Sequence, residues 1–129
     1  MRYLLDTNVW LLLRTMPEHV AEEVRERLEE PATDLLLSAA SAWEIAVKYG
    51  LGKLALPEEP STYVPSRMRE DGVAALPVTP AHALRVATMP LHHRDPFDRL
   101  LVAQAQVEGL VLVTRDGLLE RYDVDVLRA

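Results

Sequence analysis

The sequence predicts an α/β domain with a central parallel sheet, and three observations carry that prediction. Short apolar runs of β-type composition recur along the chain, each bounded by proline, glycine or acidic residues. Between them lie stretches with helical periodicity or explicit helix-start chemistry. The 129 residues, 49% hydrophobic and 26% charged, are ordinary globular material and enough for one core, so a single domain over 1–129 is expected.

Taken in order, Arg2 to Leu5 reads as a strand and Thr7 to about Arg14 as a helix. Pro17 is expected to open a second helix, whose Val20, Val24 and Leu28 recur every fourth residue between charged positions; Pro31 stops it. Leu35-Leu36-Leu37 suits a buried strand. Ser38 or Ser41 caps the helix that follows, through Trp43 and Val47 towards Gly50 and Gly52. The proline-rich stretch from Pro57 to Pro65 is expected to bend the chain, with a helix over Ser66 to Asp71 and a strand over Val73 to Val78. Pro80 starts a helix towards Met89. Asp95-Pro96 spells a helix start, an N-cap acid followed by proline at the first helical position. From Phe97 to Val107 that helix is apolar almost all round and should be buried; Gly109 ends it. Leu110 to Val113 is a strand, Asp116-Gly117 a turn, and Asp125 to Leu127 a last strand.

With no cysteine, disulfides and thiolate metal sites are excluded. No apolar run approaches the ~20 residues of a membrane span, and an acid at position 6 comes too soon for a signal peptide, so a cytoplasmic protein is expected. A net charge of −6 counts against a general nucleic-acid binder. It leaves room for an enzyme whose acids are committed to cations.

Four acids stand where an α/β sheet binds ligands, beyond the carboxyl ends of its strands. Asp6 and Asp116 follow strands directly; Glu44 and Asp98 sit in the first turns of helices. Each also has a plain structural reading. Asp6 caps the helix from Thr7, Glu44 pairs with Lys48 four residues on, and Asp116 is a turn residue. Of the neighbours Asp95 and Asp98, Asp95 has the better structural account as an N-cap, which leaves Asp98 for the site. Jointly the four have a physical consequence. Two ionised carboxylates about 5 Å apart repel by about 3 kcal/mol at an effective dielectric near 20. A cluster of them must therefore take up protons or hold cations. Oxygen-only ligands favour Mg²⁺ or Mn²⁺, which suit phosphodiester hydrolysis without a side-chain nucleophile.

At these residues the chain resembles the PIN domain family, specifically the VapC-type ribonuclease toxins of prokaryotic toxin–antitoxin pairs. The resemblance is carried by Tyr3-Leu4-Leu5-Asp6-Thr7-Asn8, Ser38-Ala39-Ala40-Ser41-Ala42-Trp43-Glu44-Ile45-Ala46 and Leu51-Gly52-Lys53-Leu54. It continues through His93-Arg94-Asp95-Pro96-Phe97-Asp98-Arg99-Leu100-Leu101 and Leu112-Val113-Thr114-Arg115-Asp116. It implies a three-layer α/β/α fold, RNA cleavage, a homodimer and a cognate VapB-type antitoxin that blocks the acidic groove. It places the family's acids on Asp6, Glu44, Asp98 and Asp116, with Thr7, Asn8 and Thr114 as supporting polar residues.

Arg94, Arg99 and Arg115 flank the acid motifs and are candidates for phosphate contacts, or solvated arginines. Lys48 and Lys53 are candidates for the groove. His92 and His93 read as an exposed loop pair, and Trp43 and Phe97 as core. With aromatics at 5%, RNA would be held chiefly through phosphate and shape. Two rival classes follow from the same acids. One is a catalytically silent PIN-fold module that binds RNA or protein. The other is a receiver-type phospho-signalling domain, which would want adjacent acids after the first strand, where Asp6 stands alone.

Overall fold

A computed structural model describes all 129 residues. Five strands, β1 (Arg2–Leu5), β2 (Asp34–Ser38), β3 (Val73–Leu76), β4 (Val111–Thr114) and β5 (Val126–Arg128), form one sheet. Its order is β3-β2-β1-β4-β5, and every pairing is parallel. Six helices connect them: α1 (Thr7–Thr15), α2 (Glu22–Glu29), α3 (Ala39–Gly50), α4 (Pro60–Asp71), α5 (Pro80–Arg85) and α6 (Pro96–Glu108).

Strand alternation divides the core into two layers. Tyr3, Leu5, Leu37 and Val113 face one side, where Val9, Trp10, Val24, Leu28, Ile45 and Val64 pack on them. Leu4, Leu36 and Leu112 face the other, against Leu101, Val102, Ala103 and Ala105 of α6. Both faces of the sheet are covered, which gives a three-layer α/β/α sandwich. The stripe of Val20, Val24 and Leu28 is core, as its spacing predicts.

Several local expectations need correction. Pro17 opens only a 3₁₀ turn, Pro17–His19; Val20 then turns extended to bury its side chain, and α2 starts at Glu22. The 57–65 stretch is no simple bend, because α4 begins at Pro60 and carries Pro65 inside it. Pro65 forgoes one helical hydrogen bond, but the same turns bury Tyr63 and Val64. β3 stops at Leu76 because Pro77 has no N–H for the ladder, and α5 passes into a 3₁₀ turn at Val86–Thr88. Burial of α6 is confined to its middle, Leu101 to Ala105, while Phe97 is only partly covered and Val107 is exposed. Trp43 is not core either. α3 turns Ala40, Ser41, Glu44 and Ile45 inward, which leaves the indole 62% exposed, edge-on to Phe97 at 5.1 Å.

The strand order fixes where a site can form. From β1 the chain runs outward to β2 and β3 on one side and to β4 and β5 on the other, so the crevice lies beyond the carboxyl ends of β1 and β4. Asp6 follows β1 directly and Asp116 lies two residues past β4.

Candidate metal centre

The local reasons for each acid's position are the plain ones, and they are compatible with a site. Asp6 is the N-cap of α1: its Oδ1 accepts from the Val9 N–H at 2.8 Å, and its own N–H donates to the Val113 carbonyl of β4. Asp116 caps the 3₁₀ turn at Gly117–Arg121 through Oδ1, which accepts from Leu118 N–H at 2.9 Å. Each cap uses one oxygen and leaves the other to a side chain, Thr114 for Asp6 and His93 for Asp116. Asp95 caps α6, accepting from Phe97 N–H and Asp98 N–H. Its capping leaves the Asp98 side chain, one turn in, free of that duty. Ser38, not Ser41, caps α3.

These placements bring Asp6, Asp98 and Asp116 to one pocket of about 470 Å³, lined also by Asn8, Leu11, Leu12, Thr15 and Arg115. Glu44 lies behind its wall, 5% exposed, and so is no surface ion pair although Lys48 Nζ sits 2.6 Å from its Oε2. The Thr7 hydroxyl donates to Glu44 Oε1 at 2.7 Å and lies 2.9 Å from Ser41 Oγ. Thr114 does the equivalent for Asp6: its hydroxyl donates to Oδ2 at 2.6 Å and accepts from Asp116 N–H at 3.1 Å. One hydroxyl thus links two of the acids.

Charge crowding is visible in the carboxyl groups. Burial, reinforced by the charges of Asp95 and Asp6, pushes Asp98 up to about 7. Burial also raises Asp6, against the bonds from Thr114 and Val9, with the Glu44 charge adding to the rise. Asp116 goes the other way, lowered first by the Leu118 N–H and then by His93. Lys48 is raised by its bond to Glu44.

His93 is not an exposed loop residue. Its Nε2 lies 2.7 Å from Asp116 Oδ2 and 3.3 Å from Asp98 Oδ2, and its Nδ1 accepts from Asp95 N–H at 3.0 Å. His93, Asp98 and Asp116 each present a donor atom within 4.8 Å of the others. Asp6 lines the same pocket outside that triplet. Sequence reasoning missed His93, and the available signal was its place two residues before the N-cap of α6, over the turn that carries Asp98. The arginines separate. Arg115 lines the pocket and Arg94 is exposed nearby in sequence, whereas Arg99 donates to the Pro90 and Val86 carbonyls and to Tyr122 Oη. Arg99 is therefore a tie between α6 and the preceding loop, and not a free cation.

The donor set suits a hard divalent cation. The facing groups are carboxylate oxygens, and Asp98 has no hydrogen bond from the backbone to its side chain, so its charge is the least compensated. No helix is long and apolar enough to cross a membrane.

Comparison with known proteins bears on the family and the fold. The chain is 52% identical over 60 residues to Ribonuclease VapC16 of Mycobacterium tuberculosis. That match covers 46% of this chain and 43% of the relative, so it spans less than half of the relative's length. The fold is similar to VapBC2 from Rickettsia felis, a complex bound to a DNA fragment from its promoter, with TM-score 0.75 and 16% identity over 99% of this chain and 98% of that one. It is also similar to DNA-bound VapBC from Salmonella typhimurium, with TM-score 0.72 and 20% identity over the same shares of each chain. At these identities the likeness is one of fold. The PIN domain model matches residues 3–125, which take in β1 to β4 but for Arg2, all six helices and the four acids Asp6, Glu44, Asp98 and Asp116, and the chain belongs to the PIN domain family.

Proposed function

We propose that this protein is a metal-dependent endoribonuclease, the toxin of a type II toxin–antitoxin pair. The observation that carries the reading is the meeting of Asp6, Asp98 and Asp116 in one pocket at the sheet's switch point, with Asp98 pushed up to about 7. The similarity to Ribonuclease VapC16 supports RNA as substrate.

Asp6, Asp98 and Asp116 would hold Mg²⁺ or Mn²⁺, with Glu44 completing the negative set from behind. When bound, such a cation polarises a phosphoryl oxygen and offsets charge on the leaving oxygen. The chain's own residues do the rest. Thr114 and Thr7 fix the rotamers of Asp6 and Glu44, Asn8 offers an amide at the pocket lining, and Arg115 is placed to meet a phosphate. Arg94 is a second candidate for that contact.

Leu11 and Leu12 of α1 add an apolar patch to the acidic lining, so the pocket fits a partner segment that is basic and apolar together. A VapB-type antitoxin is proposed on that ground and on the VapBC structures that share the fold. A homodimer is proposed as well, supported by three exposed apolar residues spaced four apart, Trp43 and Val47 of α3 and Leu51 at its C-cap.

Cleavage of a panel of structured RNAs, with chelator and after return of Mg²⁺ or Mn²⁺, tests the reading. Cutting should require the cation and fall roughly a hundredfold or more in Asp6→Asn. Cutting that survives chelation, or that is equal in a folded Asp6→Asn protein, removes it. Cation binding with no cutting would favour a silent binding module instead.

A further inference from the structure

The loop between α5 and α6 is held by an unusual convergence of donors. Tyr122 Oη, on a buried side chain, accepts from His92 N–H at 3.1 Å, His93 N–H at 3.0 Å and Arg99 Nη1 at 3.2 Å. The His92 ring stands edge-on to the Tyr122 ring at 5.0 Å. Arg99 adds its bonds to the Pro90 and Val86 carbonyls. The backbone of His93 is thus fixed from the far side of the loop. Its ring is fixed from the near side, where Asp95 N–H donates to Nδ1.

That last bond decides the chemistry of the imidazole. A nitrogen that accepts from an N–H carries no hydrogen, so the neutral ring bears its hydrogen on Nε2. Nε2 is the atom that faces Asp116 Oδ2 and Asp98 Oδ2 together. His82 has the same polarity in a purely structural setting. There Thr79 N–H donates to Nδ1 at 3.0 Å, and Nε2 lies 3.1 Å from Glu108 Oε2, with the side chain 1% exposed.

We propose that His93 is a positioning residue of the metal centre, a fixed Nε2–H donor that spaces Asp98 and Asp116, and is not itself a metal ligand. The inference rests on the functional reading above. Coordination through Nε2 needs a free lone pair there and moves the ring hydrogen to Nδ1. That hydrogen would then face Asp95 N–H across 3.0 Å, two donors with no acceptor between them. The N-cap of α6 therefore excludes the ligand role that the 4.8 Å cluster of His93, Asp98 and Asp116 alone would allow. One N–H shared by two carboxylates draws them to the same side of the pocket, and removing it lets them part.

Nitrogen-15 NMR of the wild-type chain reads the tautomer directly, with His82 as internal reference, at mildly alkaline pH and with and without Mg²⁺. His93 should show the Nε2–H tautomer in both conditions; an Nδ1–H tautomer in either overturns the proposal. Mn²⁺ affinity, measured by EPR, supplies the second arm. His93→Ala should weaken binding about tenfold, and His93→Gln, which returns an amide N–H to the Nε2 position, should restore most of it. Equal affinity in all three proteins, or Gln as weak as Ala, overturns the positioning role. Wild-type protein that binds no Mn²⁺ would instead sink the functional reading, while the tautomer still decides how His93 meets the two acids.

Discussion

The deep and outer sides of the pocket are held differently. On the deep side, all four carboxylate oxygens of Asp6 and Glu44 have a donor: Val9 N–H, Thr114 hydroxyl, Thr7 hydroxyl and Lys48 Nζ. On the outer side, Asp98 has only the Nε2 atom it shares with Asp116, and it is the acid pushed furthest from the ordinary carboxylate range. The deep wall is a scaffold that is complete without a cation. The outer wall is where a cation would relieve repulsion, so the two walls should answer differently to mutation, pH and metal.

The largest effect should come from cutting the deep wall. Thr114→Val keeps the side-chain volume but strips Asp6 Oδ2 of its donor and Asp116 N–H of its acceptor. It should cost about 1–3 kcal/mol in denaturant unfolding, the penalty for buried groups left unpaired, and lower cleavage more than tenfold. A loss under about 0.5 kcal/mol would mean the deep wall is not the scaffold described.

Asp98 sharpens the comparison through pH. Its folded-state value, about 7, lies above the ordinary carboxylate value, and Asp6 is raised as well. The folded chain therefore binds more protons than the unfolded one across that interval, and stability falls as pH rises from about 4 towards about 7. In metal-free protein the melting temperature should drop over this window, and Mn²⁺ should restore it at the alkaline end. Asp98→Asn should flatten the slope and remove most of the Mn²⁺ response. An unchanged slope in that variant would show that Asp98 carries no uncompensated charge.

The smallest effect should be at Lys48. Its side chain is 43% exposed and its partner Glu44 keeps the Thr7 bond, so Lys48→Ala should cost about 1 kcal/mol or less. A larger loss would mean that Glu44 depends on Lys48 as heavily as Asp6 depends on Thr114.

Much of this is legible in the sequence. The order of strands and helices, the N-cap at Asp95 with Pro96 behind it, the stop at Gly109 and the core stripe of Val20, Val24 and Leu28 are all local signals. They depend on backbone dihedrals, caps and periodicity within a turn or two. The acids were legible too, but as residues with two readings each, and at Asp6 and Asp116 the capping reading and a place at the pocket turn out to hold together. The errors fell where a neighbour distant in sequence decides the outcome. Trp43 read as core because tryptophan usually is, until α3 turned its other face to the sheet. The Pro57–Pro65 stretch read as a bend because burial of Tyr63 and Val64 cannot be seen in a run of prolines.

By itself, then, the amino-acid order determined the α/β alternation, the helix starts at Thr7, Pro80 and Pro96 with the stop at Gly109, and which oxygen-bearing side chains stand at strand ends and in first helical turns. Only the tertiary structure decided which of their oxygens were already taken. Thr114 reaches Asp6 across 108 positions and Thr7 reaches Glu44 across 37, and the ring of His93 was settled by Asp95 N–H on one side and two acids on the other. The physical reason is range. Backbone preference acts over neighbouring residues, whereas desolvation and hydrogen-bond partnership are set by whatever the folded sheet brings close.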